Sequence, residues 1–170
     1  MQPPPEPTPT TTPLPTPTLT PRQRLLGQTL VGAQFILIAV LGVFAAASLR
    51  HGSAPVGAWG LLAAGIAIGV WAVTANRPGN FNIRPEPRRG ARLIEQGPYR
   101  WIRHPMYTAV LAYGAACAWA NGSAAAWLAG ALLAGVLVLK ALLEERLMTA
   151  VHPGYAAYCL RTRRFLPGLV

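Results

Sequence analysis

Carboxylates are scarce in this chain. It has no Asp, and its acidic residues are Glu6, Glu86, Glu95, Glu144 and Glu145, so any chemistry that needs a carboxylate must draw on these few. Two of them are adjacent in KALLEERL, residues 140–147. There Lys140, Glu144 and Glu145 end an otherwise apolar run, and charges at such a depth usually face a protein interior with a partner, because lipid does not solvate them. Lys140 and Glu144 lie four residues apart and can neutralise each other on one helix face as a purely structural pair. Glu145 points about 100° away and cannot share that arrangement. Structural and functional roles both stay open for the two glutamates.

A second cluster is GPYRWIRHPMY, residues 97–107. Pro105 suits a first helical turn, which would leave open amides near Arg103 and His104 and favour an anion there. His104 has hydrogen-bonding capacity on both sides of its ring, so it can cap a helix or serve a ligand. Other chemistries fit poorly. His51, His104 and His152 are far apart, and no His or Cys pair has zinc-site spacing, so no metal is expected. Ser48, Ser53 and Ser123 lack a nucleophile elbow and an Asp to orient a histidine.

These clusters must be positioned by apolar helices. The 170 residues are 52% hydrophobic and only 12% charged, far below the charge content of a typical soluble domain. Four apolar runs are evident, approximately Leu25 to Leu49, Val56 to Ala75, Pro105 to Ala120 and Ala124 to Leu143. About 20 apolar residues cross a bilayer core, so the first, second and fourth qualify directly. The third is short; it can cross by recruiting Trp101 and Ile102, or form a hairpin with the fourth through Asn121-Gly122-Ser123. Gln28 and Gln34, inside the first run, are expected to face other helices. The fold class is therefore an all-α integral membrane protein with about four transmembrane helices.

Basic residues orient the spans. Arg22 and Arg24 precede the first run, seven arginines from Arg77 to Arg103 separate the second from the third, and Arg146, Arg161, Arg163 and Arg164 follow the fourth; the opposite side has only Arg50. The positive-inside rule then places both termini and the long middle loop in the cytoplasm. Most of these arginines are read as topology and attraction to anionic headgroups. The net charge of +10 does not imply nucleic acid, because the basic residues alternate with apolar stretches. Residues 1–21, dominated by Pro and Thr, are expected to be a disordered tail outside a single domain of residues 22–170. Cys117 and Cys159 have no paired framework and read as structural or incidental thiols.

RPEPRRGARLIEQGPYRWIRHPMY at 84–107, EERL at 144–147 and PGYAAYCLRTRRFLP at 153–167, taken in this order, resemble the isoprenylcysteine carboxyl methyltransferase family. Its wider superfamily includes phospholipid N-methyltransferases. The likeness runs from about Gly65 onward and excludes the tail. It implies a helical membrane fold whose cytoplasmic region, formed by the middle loop and the C-terminal segment, binds S-adenosylmethionine and methylates a lipid-anchored acceptor, a prenylcysteine-type carboxylate above all. Arg103, His104, Tyr107, Glu144 and Glu145 fall on the family's site elements, Gly97, Pro98 and Tyr99 on the preceding loop, and Tyr155 and Tyr158 on a segment covering the cofactor. Thr108-Ala109 departs from relatives, which often carry Gly just after the motif tyrosine.

The residue types suit that ligand, which carries a carboxylate, an ammonium and a sulfonium. Arg103, His104 and helix amides can hold the carboxylate, Glu144 or Glu145 the ammonium, and tyrosine faces the sulfonium or the adenine. The alternatives are phospholipid headgroup N-methylation, an NADPH-dependent membrane reductase resembling sterol reductases, and a non-enzymatic scaffold binding anionic lipid through its arginines.

Overall fold

The computed structural model describes residues 20–76 and 93–167. Five α-helices follow in order: α1 Pro21–Arg50, α2 Val56–Ala75, α3 Pro105–Asn121, α4 Ala124–Val151 and α5 Tyr155–Arg161, with one 3-10 turn, Gly97–Arg100, ahead of α3. An isolated parallel β-bridge pairs Ile102 with Arg163.

The first helix starts where a capping box allows it. The Thr20 hydroxyl accepts from the Gln23 amide, and the Gln23 side chain reaches back to the Thr20 amide, satisfying two helix-end donors reciprocally. Helix therefore begins at Pro21, inside the stretch expected to be tail; the rest of that tail, residues 1–19, lies outside the described residues, as do the loop arginines 77, 84, 88, 89 and 92.

Among the described residues three helices, α1, α2 and α4, are long and apolar enough to cross a membrane. Large apolar side chains remain exposed along them, among them Phe35, Ile36 and Val43 on α1, Ile66 and Val70 on α2, and Leu128 and Leu132 on α4. Outward-facing apolar surface on this scale is what a bilayer solvates. The chain is an all-α integral membrane protein. Helix α3 has 17 residues and a length of about 25 Å at 1.5 Å per residue, short of a hydrocarbon core of about 30 Å. It tolerates the shortfall because it packs against α1, α2 and α4, so neighbouring helices surround it.

The α3–α4 connection is the hairpin anticipated at Asn121-Gly122-Ser123, with Ser123 accepting from the Ala126 amide as the N-cap of α4. The core joins Leu41 and Ala45 of α1, Ala58 of α2, Cys117 and Ala118 of α3, and Ala126, Leu133 and Leu137 of α4. Trp59, Trp119 and Trp127 mark one end of the bundle, while Trp71 and Trp101 meet at the other with ring centroids 5.8 Å apart. Tryptophans at both ends suit the two membrane interfaces.

Contact between α2 and α3 depends on small residues. Alanine and glycine at Ala58, Gly65 and Ala72 form the buried stripe of α2, and a Cβ on Gly65 would stand 3.0 Å from the Ala112 Cβ and 3.1 Å from the Ala109 carbonyl. Close backbone approach of this kind drives helix association in lipid, where no hydrophobic effect operates between helices. Gly65→Leu is expected to cost about 1–3 kcal/mol, as overpacking does. Gly60→Leu, where nothing lies within 4 Å, should leave the thermal unfolding midpoint in detergent unchanged.

One sequence expectation needs correction here. Gln34 is buried as expected, but Gln28 is exposed on the outer face of α1. It stands two turns from the helix start, close enough to the interface for its amide to reach water or headgroups. Helix α4 continues beyond the apolar stretch to Val151 and carries Glu144 and Glu145 on regular helix, as their spacing from Lys140 requires.

Candidate active site

The polar end of the bundle is assembled from both sides of α3. Gly97 opens the 3-10 turn with φ +60°, and an added Cβ would meet the Ala75 Cβ at 2.7 Å. This backbone conformation and the close approach to α2 both favour glycine. Pro98 is buried and its carbonyl accepts from the Trp101 and Ile102 amides. The chain then extends through Trp101–His104 alongside the C-terminal segment: the Arg163 amide donates to Trp101 (2.9 Å), the Arg103 amide to Arg163 (2.8 Å) and the His104 amide to Arg164 (3.1 Å). The Thr108 hydroxyl adds a bond to the Phe165 carbonyl at 2.6 Å.

Pro105 does take a first-turn position in α3. The amides of Arg103 and His104 donate to the carbonyls of Arg163 and Arg164, and those of Tyr107 and Thr108 in the first turn donate to the His104 carbonyl. Backbone amides at the edge of a buried segment are satisfied by whatever backbone is adjacent, and the C-terminal segment is adjacent here.

The side chains converge on the two glutamates. Glu145 accepts from Arg103 Nε at 2.9 Å, His104 Nε2 at 3.1 Å, Arg164 Nε at 3.1 Å and an Arg164 terminal nitrogen at 2.8 Å. Four donors nearly exhaust a carboxylate's lone pairs. Glu144 accepts from the Tyr107 hydroxyl and lies 3.4 Å from His104 Nδ1. It is also the more exposed of the two, 20% against 14%. The Arg103 guanidinium is committed beyond Glu145, donating to the carbonyls of Cys159 (3.1 Å) and Thr162 (2.6 Å) and so tying down the end of α5.

His104 thus places both ring nitrogens against carboxylates, a geometry that suits the doubly protonated ring. Its ring stacks on Tyr107 with centroids 5.3 Å apart and planes 4° apart. Burial alone disfavours the charged imidazole, but the hydrogen bonds to Glu144 and Glu145 outweigh it and hold the His104 pKa above the usual 6.5. A raised folded-state value means that the imidazolium contributes fully below the unfolded pKa, and the contribution is lost as pH rises through the folded pKa. The thermal midpoint should therefore fall on the alkaline side of pH 6.5, and His104→Gln should flatten that fall; an unaltered profile in the variant would assign the ionisation elsewhere.

Tyr99, Tyr155 and Tyr158 form the wall beside this cluster. Tyr158 donates to the Tyr99 carbonyl at 2.7 Å, and the rings of Tyr155 and Tyr158 are 5.8 Å apart, both buried. Burial, with the negative charge of Glu144 adding to it, pushes the Tyr99 phenol up to about 12, against a hydrogen bond with Asn76 that lowers it. At the rim, Arg161 pairs with Glu95 at 2.6 Å, both substantially exposed.

Arg103, His104, Tyr107, Glu144 and Glu145 therefore share one cluster, with the turn at Gly97, Pro98 and Tyr99 and the helix of Tyr155 and Tyr158 around it. Arg164, Thr162 and Asn76 were not singled out from sequence. By sequence Arg164 resembles the other topological arginines, and only the folding of the C-terminal segment onto His104 distinguishes it. Lys140, weighed against Glu144 alone, donates to Gln34 of α1 and lies with Nζ 5.0 Å from the Tyr107 ring centroid.

Fold and site together define an integral membrane protein with a buried, charge-paired cluster at one end of a helical bundle. Residues 55–153 match the family model described as phospholipid methyltransferase, over more than half of the chain, and the chain belongs to that family, within the isoprenylcysteine/phospholipid methyltransferase superfamily. It is a membrane methyltransferase, which sets aside the reductase and scaffold alternatives. No curated protein matches the chain. The matched segment contains the 97–107 and 144–145 clusters but stops before α5 and Arg164.

Proposed function

We propose that the chain transfers a methyl group from S-adenosylmethionine to a lipid-anchored acceptor, first a prenylcysteine-type carboxylate, with the site and both termini on the cytoplasmic side. The observation that carries this reading is the meeting of His104 with both Glu144 and Glu145 beside a tyrosine-lined wall. The ligand's chemistry fits the donor set. Glu144, less saturated than its neighbour, is the carboxylate suited to the ammonium. Arg164, more exposed than Arg103 (22% against 10%), is the cation suited to the carboxylate, a role that sequence reasoning gave to Arg103, His104 and the helix amides. Tyr99, Tyr107, Tyr155 and Tyr158 supply aromatic surface near the sulfonium and adenine.

When bound, S-adenosylmethionine supplies a methyl group on a cationic sulfur, open to in-line displacement. The chain's part is alignment of the acceptor and exclusion of water. Cations outnumber carboxylates in the cluster, with Arg103, Arg164, Lys140 and His104 against Glu144 and Glu145, which supports an acceptor bearing negative charge. Such an acceptor needs no base. The second reading, N-methylation of a phospholipid headgroup, is favoured by the description of the matching family; its amine must lose a proton, with Glu144 as the group placed to take it.

Product chemistry separates the two. With the protein in lipid nanodiscs and methyl-labelled S-adenosylmethionine, a prenylcysteine analogue should acquire label as a methyl ester, which alkali hydrolyses to release the label as methanol. Alkali-stable label on phosphatidylethanolamine would install the second reading, and no label on either would remove both.

A further inference from the structure

Two polar residues, Gln34 and Lys140, meet deeper in the bundle than the glutamates. Gln34 of α1 is 7% exposed and Lys140 of α4 is 1% exposed, and the Lys140 ammonium donates to the Gln34 side-chain carbonyl. Lys140 stands one turn further into the membrane than Glu144 on the same helix, about 6 Å by the helical rise. Its Nζ lies over the Tyr107 ring, 5.0 Å from the centroid, a distance at which a cation is held by the aromatic quadrupole. Tyr107 in turn stacks on His104 and donates its hydroxyl to Glu144. A continuous path thus runs from α1 to the carboxylate read as ligand-binding.

We infer that Gln34 and Lys140 are positioning residues of the active site, which hold the Tyr107 ring and through it the Glu144 carboxylate, so that α1 is a working part of the site and not only a membrane anchor. Gln34 lies outside the segment shared with the family, residues 55–153, and the family match gives it no role. Its amide helps to hold the long, flexible lysine stem in one arrangement. Lys140 contributes a fixed charge that sets where Tyr107 can lie. A polar pair used only to join α1 to α4 would stabilise the bundle without acting through Tyr107.

The inference rests on reading Glu144 as the carboxylate for S-adenosylmethionine, and the test separates the two claims. In the full-length chain in nanodiscs, calorimetric titration of S-adenosylmethionine compares Lys140→Met, Tyr107→Phe and the double variant. Each single change is expected to weaken binding about tenfold, and the double variant to bind no more weakly than the poorer single, because residues acting through one another are non-additive. Gln34→Leu should reproduce the effect in part, and Lys140→Arg should retain most of the affinity. Multiplying effects in the double variant would overturn the relay. In the ligand-free chain, the ring 15N resonances of His104 should shift in Lys140→Met while those of His51, at the far end of the bundle, do not, and Tyr107→Leu, which removes the ring, should abolish the shift. Intact coupling in these spectra with no binding of S-adenosylmethionine would retain the relay and remove the ligand assignment. Normal binding with no His104 response would do the reverse.

Discussion

Glu145→Gln is expected to lower stability by about 3 kcal/mol or more, the scale on which losing one partner of a buried ion pair is felt. One carboxylate serves Arg103, His104 and Arg164, so an amide in its place leaves cationic donors from three points of the chain without their common acceptor. Arg103 also fastens the carbonyls of Cys159 and Thr162, and Arg164 belongs to the segment paired with Trp101–His104. Damage should therefore concentrate at the C-terminus. Limited proteolysis should cut the 154–167 segment of the variant at protease levels that spare the native chain, alongside a lower thermal midpoint. A variant as stable and as resistant as the native protein would show that Glu145 is not the tie point.

Glu144→Gln should have the opposite signature, with the fold nearly intact and ligand affinity reduced roughly thirtyfold. A hydrogen bond to a charged group is worth about 2 kcal/mol, which corresponds to that factor. The distinction follows from saturation. Glu145 is filled by donors from the protein, whereas Glu144 has Tyr107 and a longer approach from His104 and retains capacity for an ammonium. Calorimetry of S-adenosylmethionine with the two variants, each at a temperature where it is folded, reads the difference. Equal loss of affinity at equal loss of stability would mean that the adjacent glutamates share one structural task.

The two glutamates also show where sequence reading stopped. Adjacent carboxylates on a helix point in different directions, and that much follows from 3.6 residues per turn. Their surroundings do not, because the donors that fill Glu145 come from positions 103, 104 and 164, brought together by the hairpin of α3 with α4 and the return of the C-terminal segment. Arg164 is indistinguishable from Arg161 or Arg163 by type and neighbourhood, yet it alone of the three is bound to Glu145, while Arg161 reaches Glu95 at the rim. Gln34 was visible as a misplaced amide in an apolar run. Its partner on α4 lies too far along the chain for any periodicity to reveal.

Sequence by itself determined that this is a helical membrane protein, where its apolar runs begin and end to within a few residues, and which polar clusters border them. Hydropathy and helix-end chemistry are local properties, felt within a turn or two of the residue concerned. Tertiary structure alone decided which carboxylate is filled by donors of the fold and which retains capacity, that the amides before Pro105 belong to the C-terminal segment, and that the first helix meets the Tyr107 ring through Gln34 and Lys140. Hydrogen-bond saturation depends on every donor within about 3 Å, and those donors are set by how distant segments pack.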